Sequence, residues 1–131
     1  MKIDHAALYC TDLEMVRTFF QHYLGATSGD QYHNPRTGLR TYILTFPDGG
    51  SRLELMTRPE VVPEEANLFR QGFIHLSFSL GSREAVDELT IRLKADGYEV
   101  LSGPRITGDG YYETSFWGPE HLLLEITLSL Q

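Results

Sequence analysis

Residues 3–25 read IDHAALYCTDLEMVRTFFQHYLG, a short apolar run, a polar turn and then an amphipathic stretch. The apolar run, residues 3–10, is typical of a strand. The apolar residues that follow recur at three- and four-residue steps, which is the spacing of one helical face. Thr11 or Asp12 is suited to cap the start of this helix, and Gly25 to end it. The stretch therefore predicts a strand followed by an amphipathic helix.

Residues 73–97 repeat this order as FIHLSFSLGSREAVDELTIRLKADG. Apolar and polar residues alternate over residues 73–80, as in a strand with two different faces. Ser82 is suited to cap the following helix, whose expected inward face includes Ile91, and Gly97 follows its end. Further strands are predicted after each helix, near residues 40–46 and 51–57 in the first copy and near 98–101, 111–117 and 122–128 in the second.

The repeat divides the sequence into two similar modules within one domain spanning residues 1–131. Module 1 covers about residues 1–58 and module 2 about residues 72–131. The connector, about residues 59–71, is rich in Pro and Glu and is typical of a link between modules. The sequence thus predicts a duplicated unit in which a strand and a helix precede two or three strands.

Four side chains capable of binding a metal occupy matching places in the two modules. His5 and Glu54 are 49 residues apart, His75 and Glu125 are 50 apart, and the shifts between modules are 70 and 71. Strand alternation directs Glu54, His75 and Glu125 away from the helix-packed faces, whereas the face of His5 is ambiguous. Two imidazoles and two carboxylates suit a divalent transition ion and leave room for water or substrate. We therefore predict a metal site formed by these four residues.

Composition excludes several other classes of function. The 131 residues are 41% hydrophobic and 22% charged, as in a globular protein, and carry a net charge of −7. No clustered Lys/Arg face indicates nucleic-acid binding, and no apolar run reaches the roughly 20 residues that span a membrane. The single Cys10 cannot form an intrachain disulfide, and no signal peptide is recognisable. We expect a cytoplasmic protein that binds a small molecule.

Several motifs resemble those of the vicinal oxygen chelate superfamily, and specifically its glyoxalase I branch. They are HAALYCTDLEMVRTFFQHYLGA, SRLEL, GFIHLSFS and FWGPEHLLLEI. In the last motif, Gly118 and the pair Glu120-His121 depart from the usual Asp-Pro-(Asp/Glu)-Gly-Asn turn. The resemblance implies an α+β fold of two βαβββ modules that form a curled mixed sheet, with the helices on the outer face. It also implies a homodimer in which chains share sites.

The same resemblance implies a lactoylglutathione lyase-like activity and a role for each candidate residue. His5, Glu54, His75 and Glu125 would hold one divalent metal ion, nickel or zinc first, with cobalt, manganese and iron as alternatives. Glu125 would be the catalytic base. Glu54 would be a metal ligand on the opposite side of the ion and a partner of this base. Arg58 is a candidate for substrate binding, although family members that use glutathione tend to have Asn at this position and Arg at the position of Tyr9.

Two further functions remain open. One is another metal enzyme on the same fold, either an epimerase or an extradiol-type dioxygenase. The extradiol enzymes need only two His and one Glu, and epimerases typically have Gln at the position of Glu54, so Glu54 favours the glyoxalase pattern. The other is a non-catalytic small-molecule binding protein, but such relatives generally lack the complete ligand set.

Overall fold

The computed structural model describes residues 1–65 and 68–131. The chain divides into two compact units, Met1–Glu64 and Glu65–Gln131. The predicted connector, residues 59–71, includes positions 66 and 67, which lie outside the described residues. In the described part of the chain, no helix is both long enough and apolar enough to cross a membrane.

Unit 1 consists of one helix and a mixed five-stranded sheet. The strand order is β1-β5-β4-β2, with β3 paired to β4, and only the β1–β5 pair is parallel. The short strands β2 and β3 occupy a segment for which no strand was predicted. The elements are β1 His5–Tyr9, α1 Leu13–Leu24, β2 Thr27–Ser28, β3 Tyr32–Asn34, β4 Leu39–Thr45 and β5 Arg52–Thr57.

Helix α1 has the predicted caps and buried face. The Asp12 carboxylate accepts a hydrogen bond from the Met15 backbone N–H at 3.1 Å, so Asp12 rather than Thr11 caps the helix. Gly25 ends it with a φ of 66°, a left-handed conformation that favours glycine. The helix packs against β5 through its apolar face, which comprises Leu13, Val16, Phe19 and Phe20.

Unit 2 repeats this plan with a four-stranded sheet. Its strand order is β6-β9-β8-β7, and β6 is parallel to β9. Strand β7 is longer than predicted, because the Gly103-Pro104 pair is accommodated where the register with β8 shifts at the sheet edge. The elements are β6 Leu76–Ser79, α2 Arg83–Ala95, β7 Val100–Ile106, β8 Tyr111–Trp117, a short 3-10 helix Pro119–His121 and β9 Leu123–Ser129.

Helix α2 starts at the predicted cap and buries the expected apolar face except at one position. The Ser82 hydroxyl accepts a hydrogen bond from the Ala85 N–H at 3.1 Å. Ile91 is 66% exposed, so its expected inward position is wrong. Thr90 is buried instead, and its hydroxyl lies 2.8 Å from that of Thr114 on β8. Burial of the Thr90 hydroxyl is tolerated in the core because it is hydrogen-bonded.

The duplication extends to the way each helix is tied to its sheet. The Tyr42 hydroxyl on β4 donates to the Glu14 carboxylate of α1, and the Tyr112 hydroxyl on β8 donates to the Asp87 carboxylate of α2. In both cases the neighbouring carboxylate raises the pKa of the tyrosine. Within residues 1–65 and 68–131, two α-helices and nine strands in two mixed sheets confirm the predicted α+β class.

Candidate metal centre

His75 and Glu125 come together on the sheet of unit 2. The Nε2 atom of His75 lies 3.3 Å from Oε2 of Glu125, and the two side chains are 34% and 16% exposed. Leu124 and Ile126, on either side of Glu125, are buried on the helix-packed face, which directs Glu125 to the opposite, open face. This placement of Glu125 agrees with the predicted alternation.

The corresponding pair in unit 1 has the same register. His5 pairs with Arg52 and Ala7 pairs with Glu54, so Glu54 lies two residues beyond the position opposite His5. In unit 2, Ser77 pairs with Glu125, which gives His75 and Glu125 the same offset. Residues paired in register share a face, so both His–Glu pairs are diagonal neighbours on the open faces of their sheets.

The structure resolves the ambiguity in the face of β1. Ala6 and Leu8 are partly buried, whereas His5, Ala7 and Tyr9 are exposed. His5 therefore lies on the open face with Glu54, not on the helix-packed face. His5 thus occupies the same face in unit 1 as its counterpart His75 does in unit 2.

Asp4 and Arg52 form a hydrogen-bonded chain that fixes His5. The Nδ1 atom of His5 lies 2.8 Å from Oδ2 of Asp4, and Arg52 donates to the same oxygen at 2.6 Å. The hydrogen bond with His5 contributes most to lowering the pKa of Asp4, followed by the interactions with Arg52. When Nδ1 carries the proton, the lone pair of Nε2 is free to bind a metal, as in many carboxylate–histidine–metal sites.

Each unit supplies two of the four predicted ligands. Among the described residues of either unit, no three His, Cys, Asp or Glu side chains form a cluster that could hold a metal ion. The donor set fits a divalent ion, since imidazole nitrogen and carboxylate oxygen are established ligands of nickel, zinc, cobalt and manganese.

Glu113 is a charged residue on the open face that the sequence reasoning missed. Strand β8 pairs Ser115 with Glu125 and Glu113 with Thr127, which places Glu113 diagonally beside Glu125. Burial raises the pKa of Glu113, and the charge of Glu125 raises it further. The alternation of residues 111–117 separates Glu113 from the buried Thr114 and Phe116, and this was the signal that could have identified it.

Arg58 is already held by residues of its own chain. Its Nε donates to Oε2 of Glu60 at 2.6 Å, and this hydrogen bond is the largest cause of the raised pKa of Arg58. A side-chain hydrogen bond with Tyr9 acts in the same direction. Tyr9 and Arg58, the two positions at which the sequence departs from the glutathione-using pattern, are thus in contact.

The fold and the His–Glu pairs define a class of protein built from two similar units, each with a helix on a mixed sheet and candidate metal ligands on the open face. The family model of the Glyoxalase/Bleomycin resistance protein/Dioxygenase superfamily matches residues 2–126. The chain belongs to this superfamily.

Two proteins of Bacillus subtilis (strain 168) are similar to it in sequence. YqjT is 28% identical over 132 residues, covering 95% of this chain and 96% of its own, and YwkD is 30% identical over 126 residues, covering 95% and 94%.

Solved structures share the fold at lower sequence identity. A glyoxalase family protein from Bacillus cereus has a TM-score of 0.83 at 18% identity, covering 100% of this chain and 95% of its own. The fosfomycin resistance protein FosX from Listeria monocytogenes, complexed with Mn(II) and sulfate, has a TM-score of 0.69 at 20% identity, covering 97% and 91%. A glyoxalase I mutant from Zea mays has a TM-score of 0.79 at 17% identity, covering 99% of this chain and 45% of its own.

Proposed function

We propose that this protein is a metal-dependent lyase or isomerase of the glyoxalase I type, acting on a thiol adduct of a 2-oxoaldehyde. The observation that supports it is the repeated diagonal His–Glu pair on the open face of each sheet. His5, Glu54, His75 and Glu125 together would hold one divalent ion. Nickel or zinc is proposed first, and cobalt, manganese and iron are the alternatives.

The reaction requires a proton to move between two neighbouring carbons. In the hemithioacetal of methylglyoxal, a carbon-bound proton next to a carbonyl is too weakly acidic for a carboxylate in water. A bound divalent ion would polarise the substrate oxygens and stabilise the developing negative charge. Glu125 would remove the proton and return it to the adjacent carbon, giving a thioester of lactate with no net gain or loss of atoms.

The surroundings of Glu125 suit the role of a positioned base. Its side chain is held in the regular part of β9 between two buried neighbours, and it is only 16% exposed. A strand position with limited access to water keeps the carboxylate oriented and restricts competing reactions with solvent. Glu54 would act as a ligand of the ion and as the second carboxylate of the site.

The test is an assay of metal-loaded protein with the hemithioacetals of methylglyoxal and several thiols, following thioester formation. Glu125→Gln should lower kcat by about a hundredfold to ten thousandfold while metal content is unchanged, because it removes the base but keeps a ligand oxygen. Glu88→Gln, at an exposed position of α2, is the matched control and should leave kcat unchanged. Full activity of Glu125→Gln would overturn the assignment.

The contact between Tyr9 and Arg58 favours a second candidate, another metal enzyme on the same fold. These two positions do not match the glutathione-using pattern, and Arg58 is already bonded to Glu60. An epimerase would also use proton transfer, whereas an extradiol-type dioxygenase would need redox-active iron(II). Activity that appears only with iron(II) and oxygen would favour the dioxygenase over the lyase.

We also propose that the protein acts as a homodimer. In this arrangement the His5–Glu54 pair of one chain combines with the His75–Glu125 pair of another. The same register of the His–Glu pair in the two units supports this proposal. Mixing inactive His5→Ala and His75→Ala proteins under conditions that exchange subunits should restore activity only if sites are shared between chains.

A further inference from the structure

A row of polar side chains crosses the open face of the unit 2 sheet, one step along the strands from Glu125. It consists of Ser79, Thr127, Glu113 and Arg105, and we call it the polar row. The register places these residues side by side, since Thr127 pairs with both Ser79 and Glu113, and Glu113 pairs with Arg105. Two residues along a strand is about 7 Å, so the row lies within reach of a small molecule held at Glu125.

Thr127 has an unsatisfied hydroxyl within this row. The residue is 8% exposed, and its Oγ1 is buried without a hydrogen-bond partner in the described part of the chain. Buried hydroxyl groups are almost always hydrogen-bonded, so an unpaired one on the open face of a sheet indicates a missing polar partner. A bound ligand would provide that partner.

Arg105 and Glu113 carry opposite charges at paired strand positions, but their side chains do not bind each other. Within residues 1–65 and 68–131, the structure gives no ion pair between them and no hydrogen bond to the Glu113 carboxylate. The Nε atom of Arg105 donates instead to Ser102 at 2.9 Å. Ser102 thus holds the guanidinium on β7 while the carboxylate remains available on β8, and a ligand with two opposite charges could bind both.

We infer that the polar row binds the zwitterionic α-amino acid end of the substrate. Arg105 takes its carboxylate, because a guanidinium fork matches a carboxylate in shape and charge. Glu113 takes the ammonium group, and the Thr127 hydroxyl completes the hydrogen bonds. The inference rests on the proposed function and specifies its substrate, a 2-oxoaldehyde adduct of a thiol that carries an α-amino acid head.

Binding of three inert thioethers to metal-free protein tests this inference without any turnover. S-methyl-L-cysteine carries both charges, S-methylcysteamine only the ammonium group and 3-(methylthio)propionate only the carboxylate. Titrations followed by NMR should show S-methyl-L-cysteine binding roughly tenfold more tightly than either singly charged compound, the effect of one charge-assisted hydrogen bond.

Each substitution in the row should remove one part of this selectivity. Glu113→Gln should abolish the preference over 3-(methylthio)propionate, and Arg105→Gln the preference over S-methylcysteamine. Thr127→Val, of nearly equal size, should weaken binding of S-methyl-L-cysteine. Glu88→Gln on α2 serves as the matched control, with unchanged binding.

Equal affinity for the three thioethers, or selectivity that survives both charge substitutions, would overturn the inference. Selective binding by a protein that turns over no hemithioacetal would uphold the polar row and contradict the proposed function. Turnover of a hemithioacetal without any preference for the zwitterion would uphold the proposed function and contradict the polar row. The two claims therefore fail in distinguishable ways.

Discussion

His75 contacts Glu125 across the sheet of unit 2, with 3.3 Å between Nε2 and Oε2, whereas its counterpart in unit 1, His5, bonds through Nδ1 to Asp4. The two modules thus keep the same diagonal His–Glu arrangement but support the imidazole differently. Residue 74, which corresponds to Asp4, is an isoleucine. The duplication has preserved the candidate ligands while the residues around them have diverged.

Asp4→Asn should weaken metal binding about tenfold, because the carboxylate orients the His5 imidazole through a hydrogen bond. Zinc affinity measured by competition with a chromophoric chelator would show the effect directly. Asp30→Asn, at another exposed aspartate of unit 1, is the control and should leave the affinity unchanged. Unaltered zinc affinity in Asp4→Asn would mean that Asp4 does not support His5 in the metal-bound protein.

Thr90→Val should destabilise the protein by about 1–3 kcal/mol, because it leaves the buried Thr114 hydroxyl without its partner. The Thr90 hydroxyl also donates to the Val86 carbonyl oxygen at 2.7 Å. The double variant Thr90→Val/Thr114→Val should be less destabilised than the sum of the two single variants, since no orphaned hydroxyl remains. Urea denaturation gives the three free energies of unfolding, and strict additivity would contradict a coupled pair.

The stability of the metal-free protein should fall as the pH rises through the titration of Glu113. Its folded-state pKa is raised above the ordinary value of 4.5 by burial and by the charge of Glu125. Between the two pKa values the folded protein holds the proton more tightly than the unfolded chain, so the contribution to stability is full below pH 4.5 and is lost above the folded pKa.

Glu113→Gln cannot titrate and should therefore show a flatter dependence of unfolding free energy on pH. Urea denaturation at a series of pH values, with a chelator present, measures both proteins under the same conditions. Parallel curves for the two proteins would show that Glu113 has the same pKa in the folded and unfolded states.

Local patterns in the sequence were sufficient to predict both helices and the duplication. The caps Asp12 and Ser82 and the left-handed Gly25 act within one turn of the chain, so their effect is visible in the sequence itself. The faces of β5 and β9 followed from strict alternation. Ile91 was placed wrongly because Thr90 took the buried position, which depends on a hydroxyl partner on another strand.

The polar row could not be predicted, because it depends on register between strands that are distant in sequence. Arg105 and Glu113 are brought together by the β7–β8 pairing, which includes two register shifts that no local pattern indicates. Thr127 reads as an ordinary strand residue until its surroundings show a buried, unpaired hydroxyl. The sequence identified the candidate ligands through their repetition, while the residues beside them have no counterpart in the other module.

The central claim is that the His–Glu pairs of both units bind a single metal ion. Elemental analysis of wild-type, His5→Ala and His75→Ala proteins, each purified without chelators, tests it most directly, with His33→Ala on β3 as the control. We expect one divalent ion per chain in the wild type and the control, and loss of most of the metal in both ligand variants. A full equivalent of metal retained in either His5→Ala or His75→Ala would contradict the account.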